Sequence, residues 1–333
     1  MKFSKTALAL VLTFLLLGCQ HQQNVRVLRL AHGLDTSHPV HQGMVHMAEQ
    51  LKQVSAGNME IRIYPSGQLG SERECLELLQ VGSLDMTKVS AAVMENFAPV
   101  YQILSLPYLF TDKEHAYQVL DGEIGQRFLE QGSNYRLRGL CFYDAGSRSF
   151  YTKDKPITKP EDLKGLKIRV QKSQTAVDMV NSLGGSPTPI PWGELYTALQ
   201  QGVVDGAENN PPSFYLSGHY EVCKYYSINE HTAVPDVLLV GTGTWDRLSE
   251  TEKGWLSEAA KRSALFQRKV WQQSEQECIA KMKEEGVTVS YPDKQTFAEG
   301  VQPLYDRFAN NAEYSSIIED IQQSVSKQED KGL

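Results

Sequence analysis

Arg169, Trp192 and the run Glu208-Asn209-Asn210 are the side chains of this sequence best suited to gripping a small organic anion. A guanidinium offers a planar fork of donors that matches a carboxylate in a bidentate pair. An asparagine amide supplies both a donor and an acceptor, which orient a second polar group. An indole gives a flat apolar wall with a polar edge. None of the three is a nucleophile. Taken singly each has a plainer use: strand arginines mostly serve ion pairs, tryptophans pack in cores, and Asn-Asn steps turn the chain. Their shared placement is what singles them out.

That placement follows from the stretch between Leu163 and Asn210, which reads strand, helix, strand, helix, strand. Lys167-Ile-Arg-Val170 is a short buried strand with Arg169 near its end. From Thr175 to Leu183 the apolar residues Ala176, Val177, Val180 and Leu183 recur at helical spacing, and Gly184-Gly185 stops the helix. Thr188 to Pro191 is extended, Trp192 to Gln201 is a second helix closed by Gly202, and Val203-Val204 opens the next strand. In such α/β units ligands bind outside the carboxyl ends of the strands. Arg169, Trp192 and Glu208-Asn209-Asn210 all fall there.

The same stretch resembles the DctP-type solute-binding proteins of TRAP transporters, which capture carboxylates in the periplasm. The similarity runs from roughly Leu28 to about Val289 and rests on YPSGQLG from Tyr64, GSLD from Gly82, LPYLF from Leu106 and LDGEIG from Leu120. It continues through PITKPEDLKGLKIRV from Pro156, ELYTALQQGVVDGAEN from Glu194 and YEVCKYYS from Tyr220. The resemblance implies a two-lobed α/β fold like that of periplasmic binding proteins, with a hinge and a long helix spanning both lobes. It implies that Arg169 pairs with the ligand carboxylate, that Arg148 assists, that Asn209 orients the same group and that Trp192 lines the site. TRAP membrane subunits would be the partners, and no cofactor is expected. The family usually has Pro after the asparagine; Asn210 adds an amide instead, which suggests a ligand richer in hydroxyls.

The first part of the chain supplies candidates for the ligand's far end. LLQVGSLDMTKVS from Leu78 aligns with ALQQGVVDGAENN from Ala198, each a helix end, a glycine stop and a strand through an aspartate. By this register Lys88 and Ser90 stand opposite Glu208 and Asn210. Lys88 and Ser90 therefore join His32, His38 and Glu72, all beside strand ends, as candidate ligand residues. Ser37 is placed to cap the following helix with Pro39 in its first turn, and Ser71 with Glu74 forms a capping box. His38 and His41 share a helix face, but a metal needs three or four converging ligands, and no carboxylate pattern accompanies them. No metal is expected.

The remaining features set the context. Lys2 and Lys5 precede an apolar run, Ala7 to Leu17, too short to span a bilayer; they mark a secretion signal. Gly18-Cys19 matches the lipoprotein cleavage box, which makes 1–18 a signal peptide, Cys19 the lipid attachment site and 19–24 a tether; cleavage at a nearby ordinary site is the alternative. A lipid-anchored periplasmic monomer is expected. The formal charge of −7 lacks the basic footprint of a nucleic-acid binder. Cys75, Cys141, Cys223 and Cys278 form no metal-binding spacing, and most are expected to be free thiols. Ser249 and Glu252 open a helix that runs without Gly or Pro from about Thr251 to Glu285, apart from Gly254, too long for either lobe. The expected lobes are 25–145 plus about 235–270, and 146–234 plus about 271–325. No nucleophile elbow, zinc-protease helix, P-loop or dinucleotide fingerprint appears. The expected function is capture of a sugar acid, a uronate or aldonate. A C4-dicarboxylate binder, a sensory module and an enzyme acting on an organic acid are the alternatives.

Overall fold

The computed structural model describes residues 25–324. The expected signal peptide and tether, 1–18 and 19–24, lie outside the described residues, and so does Cys19. Eleven strands form two sheets. β1 (Arg26–Ala31), β2 (Met59–Tyr64), β3 (Met86–Ser90), β4 (Leu137–Tyr143) and β10 (Asp236–Gly241) make a five-stranded sheet in the order β2-β1-β3-β10-β4. β5 (Arg148–Thr152), β6 (Lys167–Val170), β7 (Ser186–Pro189), β8 (Gly206–Asn209), β9 (Tyr225–Thr232) and β11 (Thr288–Ser290) make a six-stranded sheet in the order β11-β9-β5-β8-β6-β7.

The chain passes from the first sheet to the second between β4 and β5 and returns between β9 and β10. Both incoming strands run antiparallel to their neighbours: β5 pairs Ser149 with Asn209, and β10 pairs Asp236 with Ser90. An antiparallel strand begins where its neighbour ends. The first residue of each incoming strand, Arg148 or Asp236, thus sits at the carboxyl edge of the sheet it joins, where ligands bind. β9 starts only at Tyr225, because residues 219–222 close one helical turn. It stays in the six-stranded sheet; β10 makes the return.

Both capping boxes form as the sequence predicts, at Ser71/Glu74 and Ser249/Glu252. The helix Pro39–Val54 differs. Its cap is His38, whose ring accepts from the Val40 N–H, while Ser37 bonds through its own N–H to Asp35. An imidazole nitrogen fills the acceptor role of a hydroxyl. The long helix, Glu250–Glu284, has 35 residues, or roughly 50 Å at about 1.5 Å each. Leu256, Ala260 and Trp271 pack it with the five-stranded sheet, and Met282 near its end joins the core of the six-stranded sheet. Midway, Gln267 bonds the backbone of Asp144 in both directions, at 2.9 and 2.8 Å, just where the chain crosses between sheets. Three helices follow β11, and the last, Ala312–Gln323, packs back on Glu123–Gln131 beside the first sheet. Cys75, Cys141, Cys223 and Cys278 are buried free thiols.

Candidate functional site

The carboxyl edges of the two sheets face each other across a cavity of about 350 Å³. Arg169, Arg148, Asn209, Asn210 and Trp192 line it from the six-stranded side, and Glu72, Lys88, Ser90 and His38 from the other. His32 does not line it. Its Nδ1 accepts from the Leu34 N–H at 3.2 Å and its Nε2 meets His41 Nδ1 at 3.0 Å, so both ring nitrogens are committed to its own loop and helix. Among the described residues no three His, Cys, Asp or Glu side chains converge as a metal site.

Arg169 is buried, and no carboxylate bridges it. Its Nε donates to the Ile190 carbonyl at 2.9 Å; Nη1 is buried with no partner. Burial pulls its pKa down to about 10, helped by the nearby Arg148 charge. It is still charged at neutral pH. A buried cation without a counterion is costly, and here its missing partner can only come through the cavity it lines. Behind it, the Tyr151 hydroxyl meets His219 Nδ1 at 2.8 Å, and the same imidazole packs 5.2 Å from the Trp192 ring. Burial, with Arg169, pulls His219 down to about 3, so the support is neutral and adds no competing charge.

Arg148 is in the opposite condition. Its Nε and Nη2 grip the two carboxylate oxygens of Glu208, Nη2 also donates to the Glu208 carbonyl at 2.7 Å, and Nη1 donates to Asn209 Oδ1 at 2.8 Å. Burial pushes the Glu208 carboxyl up, but the Arg148 charge and the His231 imidazole, whose Nε2 lies 3.5 Å from Oε2, outweigh it and bring it down to about 2. Arg148 is thus a neutralised strut that fixes Asn209, not a spare cation. The assisting role implied for Arg148 is therefore exercised through Asn209, because packing of β5 on β8 puts the Glu208 carboxylate beside the guanidinium.

The facing sheet repeats this arrangement with the signs exchanged. Lys88, on β3, is buried with its ammonium 3.0 Å from Glu72 Oε1 and 3.2 Å from Asp236 Oδ2. Burial pulls Lys88 down, yet the two acids hold it above its usual pKa. The incoming strand therefore contributes a cation against an acid in one sheet (Arg148–Glu208) and an acid against a cation in the other (Asp236–Lys88). Asp236 was not among the expected ligand residues, and Glu208 entered only as part of the Glu208-Asn209-Asn210 run, with no acid–base partner assigned to it. The signal for both lay in the aligned segments and the incoming strands.

Hydrogen bonds tie the two sides together around the cavity. His38 Nδ1 accepts from the Val40 N–H, so the proton sits on Nε2, which faces Ser213 Oγ at 3.2 Å. Ser90 Oγ donates to Gln171 Oε1 at 3.3 Å, and Asn96 Nδ2 to the Lys172 carbonyl at 2.6 Å. Burial, with Lys88, pulls His38 down to about 3, which keeps the imidazole neutral.

Residues 30–311 match the model of the bacterial extracellular solute-binding proteins, family 7 (DctP). The chain belongs to this family. A TRAP periplasmic solute-binding protein of a Bradyrhizobium species, solved in complex with α/β-D-galacturonate, is 40% identical with a TM-score of 0.88, over 90% of this chain and 100% of that one. The corresponding protein of Anaerococcus prevotii, with bound α/β-D-glucuronate, is 38% identical with a TM-score of 0.88, over 91% of this chain and 99% of that one. Protein YiiZ of Salmonella typhimurium is 38% identical over 89% of this chain and 91% of its own length. This DctP-family chain has no helix among its described residues long and apolar enough to cross a membrane.

Proposed function

We propose that this chain is the extracytoplasmic capture component of a TRAP transporter and that its cargo is a sugar acid, a hexuronate such as D-galacturonate or D-glucuronate. The observation that carries the reading is the buried, unbridged Arg169 guanidinium on the cavity wall. In this reading Arg169 takes the carboxylate, Asn209, held by Arg148, orients it, and Trp192 covers an apolar face of the ring. Asn210, Ser90, Lys88 and Glu72 bond the hydroxyls, and His38 closes the wall. The hexuronates seen in the two similar solved proteins support this choice.

The two lobes, one built on each sheet, close on the ligand, and the monomer presents it to the TRAP membrane subunits. Export by residues 1–18 and lipidation of Cys19 hold the protein at the periplasmic face of a membrane. It binds without turnover, so the acid is released unchanged.

A thermal-shift and calorimetric screen over hexuronates, aldonates and C4-dicarboxylates tests the assignment. Hexuronates are expected to stabilise the protein most. Stabilisation by C4-dicarboxylates alone would overturn the ligand class, and consumption of the bound acid would overturn the binding role. Cys19→Ser should move the protein from the membrane to the soluble fraction.

A further inference from the structure

Every buried cation that lines the cavity, except one, already holds an acid. Arg148 is neutralised by both oxygens of Glu208. Lys88 is shared by two carboxylates, Glu72 and Asp236. Among the described residues Arg169 alone of these buried cations has no acid partner. Two further cations reach the cavity at its mouth. Arg73 is paired with Glu77 at 3.0 Å, and Lys172 is exposed near Glu74, whose carboxyl its charge helps to lower. An exposed ammonium screened by water contributes little.

The two poles of the cavity are therefore unlike. The Arg169 pole carries an uncompensated positive charge. The opposite pole holds one ammonium against two carboxylates. It is net negative with Asp236 ionised and neutral with Asp236 protonated, and in neither state does it offer a spare cation. What it does offer is hydrogen-bond acceptors: the second oxygen of Glu72 has no hydrogen-bond partner among the described residues, since Oε1 takes both Lys88 and the Ser90 N–H. Acceptors suit the hydroxyls of a sugar and repel an anion.

Resting on the sugar-acid reading above, we propose that Glu72 and Asp236 are specificity-determining residues that restrict the protein to monocarboxylates. A hexuronate, with one carboxylate and a hydroxyl at the far carbon, fits both poles. A hexarate, the open-chain acid in which that far carbon is itself a second carboxylate, would bury an unpaired anion beside two acids. The selection comes from the repulsive element at the far pole as much as from the attractive one at Arg169.

Calorimetry on the full-length mature protein at neutral pH tests this with four probes: D-glucuronate, D-galacturonate, D-glucarate and galactarate. The hexarates are expected to bind at least about a hundredfold more weakly than the matching hexuronates, a difference of roughly 2.7 kcal/mol. Glu72→Gln and, separately, Asp236→Asn each remove one negative charge while keeping shape. Each should strengthen hexarate binding at least tenfold in absolute terms, a gain that a merely damaged fold cannot produce. Wild-type hexarate binding within tenfold of the hexuronates overturns the inference and leaves the sugar-acid reading intact. So does hexarate binding that neither variant improves. Binding of none of the four acids overturns the sugar-acid reading itself, and this inference with it.

Discussion

Arg169→Met separates ligand binding from stability, because the two should move in opposite directions. The residue is buried, and its pKa falls well below the usual guanidinium value, to about 10, chiefly through desolvation. A cation whose folded pKa lies below its unfolded value destabilises the fold at every pH below the folded value, here the whole working range. At about 1.4 kcal/mol per unit the penalty is on the order of 3 kcal/mol. Methionine removes the charge and keeps an apolar stem, at the loss of one hydrogen bond to Ile190, about 1 kcal/mol. The ligand-free variant should therefore melt no lower than the parent, and by this arithmetic somewhat higher. Binding should collapse: a carboxylate deprived of its buried charged partner loses about 2–5 kcal/mol, or roughly thirtyfold to several thousandfold in affinity. Differential scanning fluorimetry with and without a hexuronate, together with calorimetry, reads both quantities. A variant that binds within threefold of the parent would refute the carboxylate assignment. One that binds weakly but also melts several degrees lower without ligand would show that Arg169 is structural, and the argument from its missing counterion would fail.

Two further outcomes follow from the same geometry. Glu208 has a folded pKa of about 2 against a usual 4.5, so its contribution is present above the usual value and is lost as pH falls from about 4.5 towards 2. Urea titrations across this range should show a loss on the order of 3 kcal/mol. Glu208→Gln should abolish that component and destabilise the protein by about 3–5 kcal/mol at neutral pH, since Arg148 is left buried and unpaired; an unchanged acid limb would contradict the pairing. Ser213→Ala removes the acceptor of the His38 bond across the cavity, worth about 0.5–1.5 kcal/mol. Stopped-flow release of a hexuronate should speed up roughly twofold to tenfold with little change in the association rate, and an unaltered release rate would show that the bond does not hold the closed form.

Much of this protein is decided by local sequence. The period of apolar residues, the glycine stops and the Ser71/Glu74 and Ser249/Glu252 boxes depend on neighbours within a few positions, and the helices they predict are present. The same local logic put Arg169, Trp192 and Asn209 at strand ends, because a strand followed by a helix has only one edge where its last side chains can meet a ligand. The repeat between residues 78–90 and 198–210 brought Lys88 and Ser90 to the same cavity as Asn209 and Asn210.

What the chain alone leaves open is which charges are already spoken for. Arg148 and Arg169 look equivalent in sequence, yet one is bound to an acid sixty positions away and the other has none. That difference is set by the antiparallel register of β5 on β8. In the same way β10 beside β3 gives Lys88 its second acid, and the fold of its own loop turns His32 away towards His41. Residue type and spacing decide where a charge can stand. Only packing across the sheets decides whether it arrives with a partner, because an ion pair between distant positions exists only once strand register is fixed.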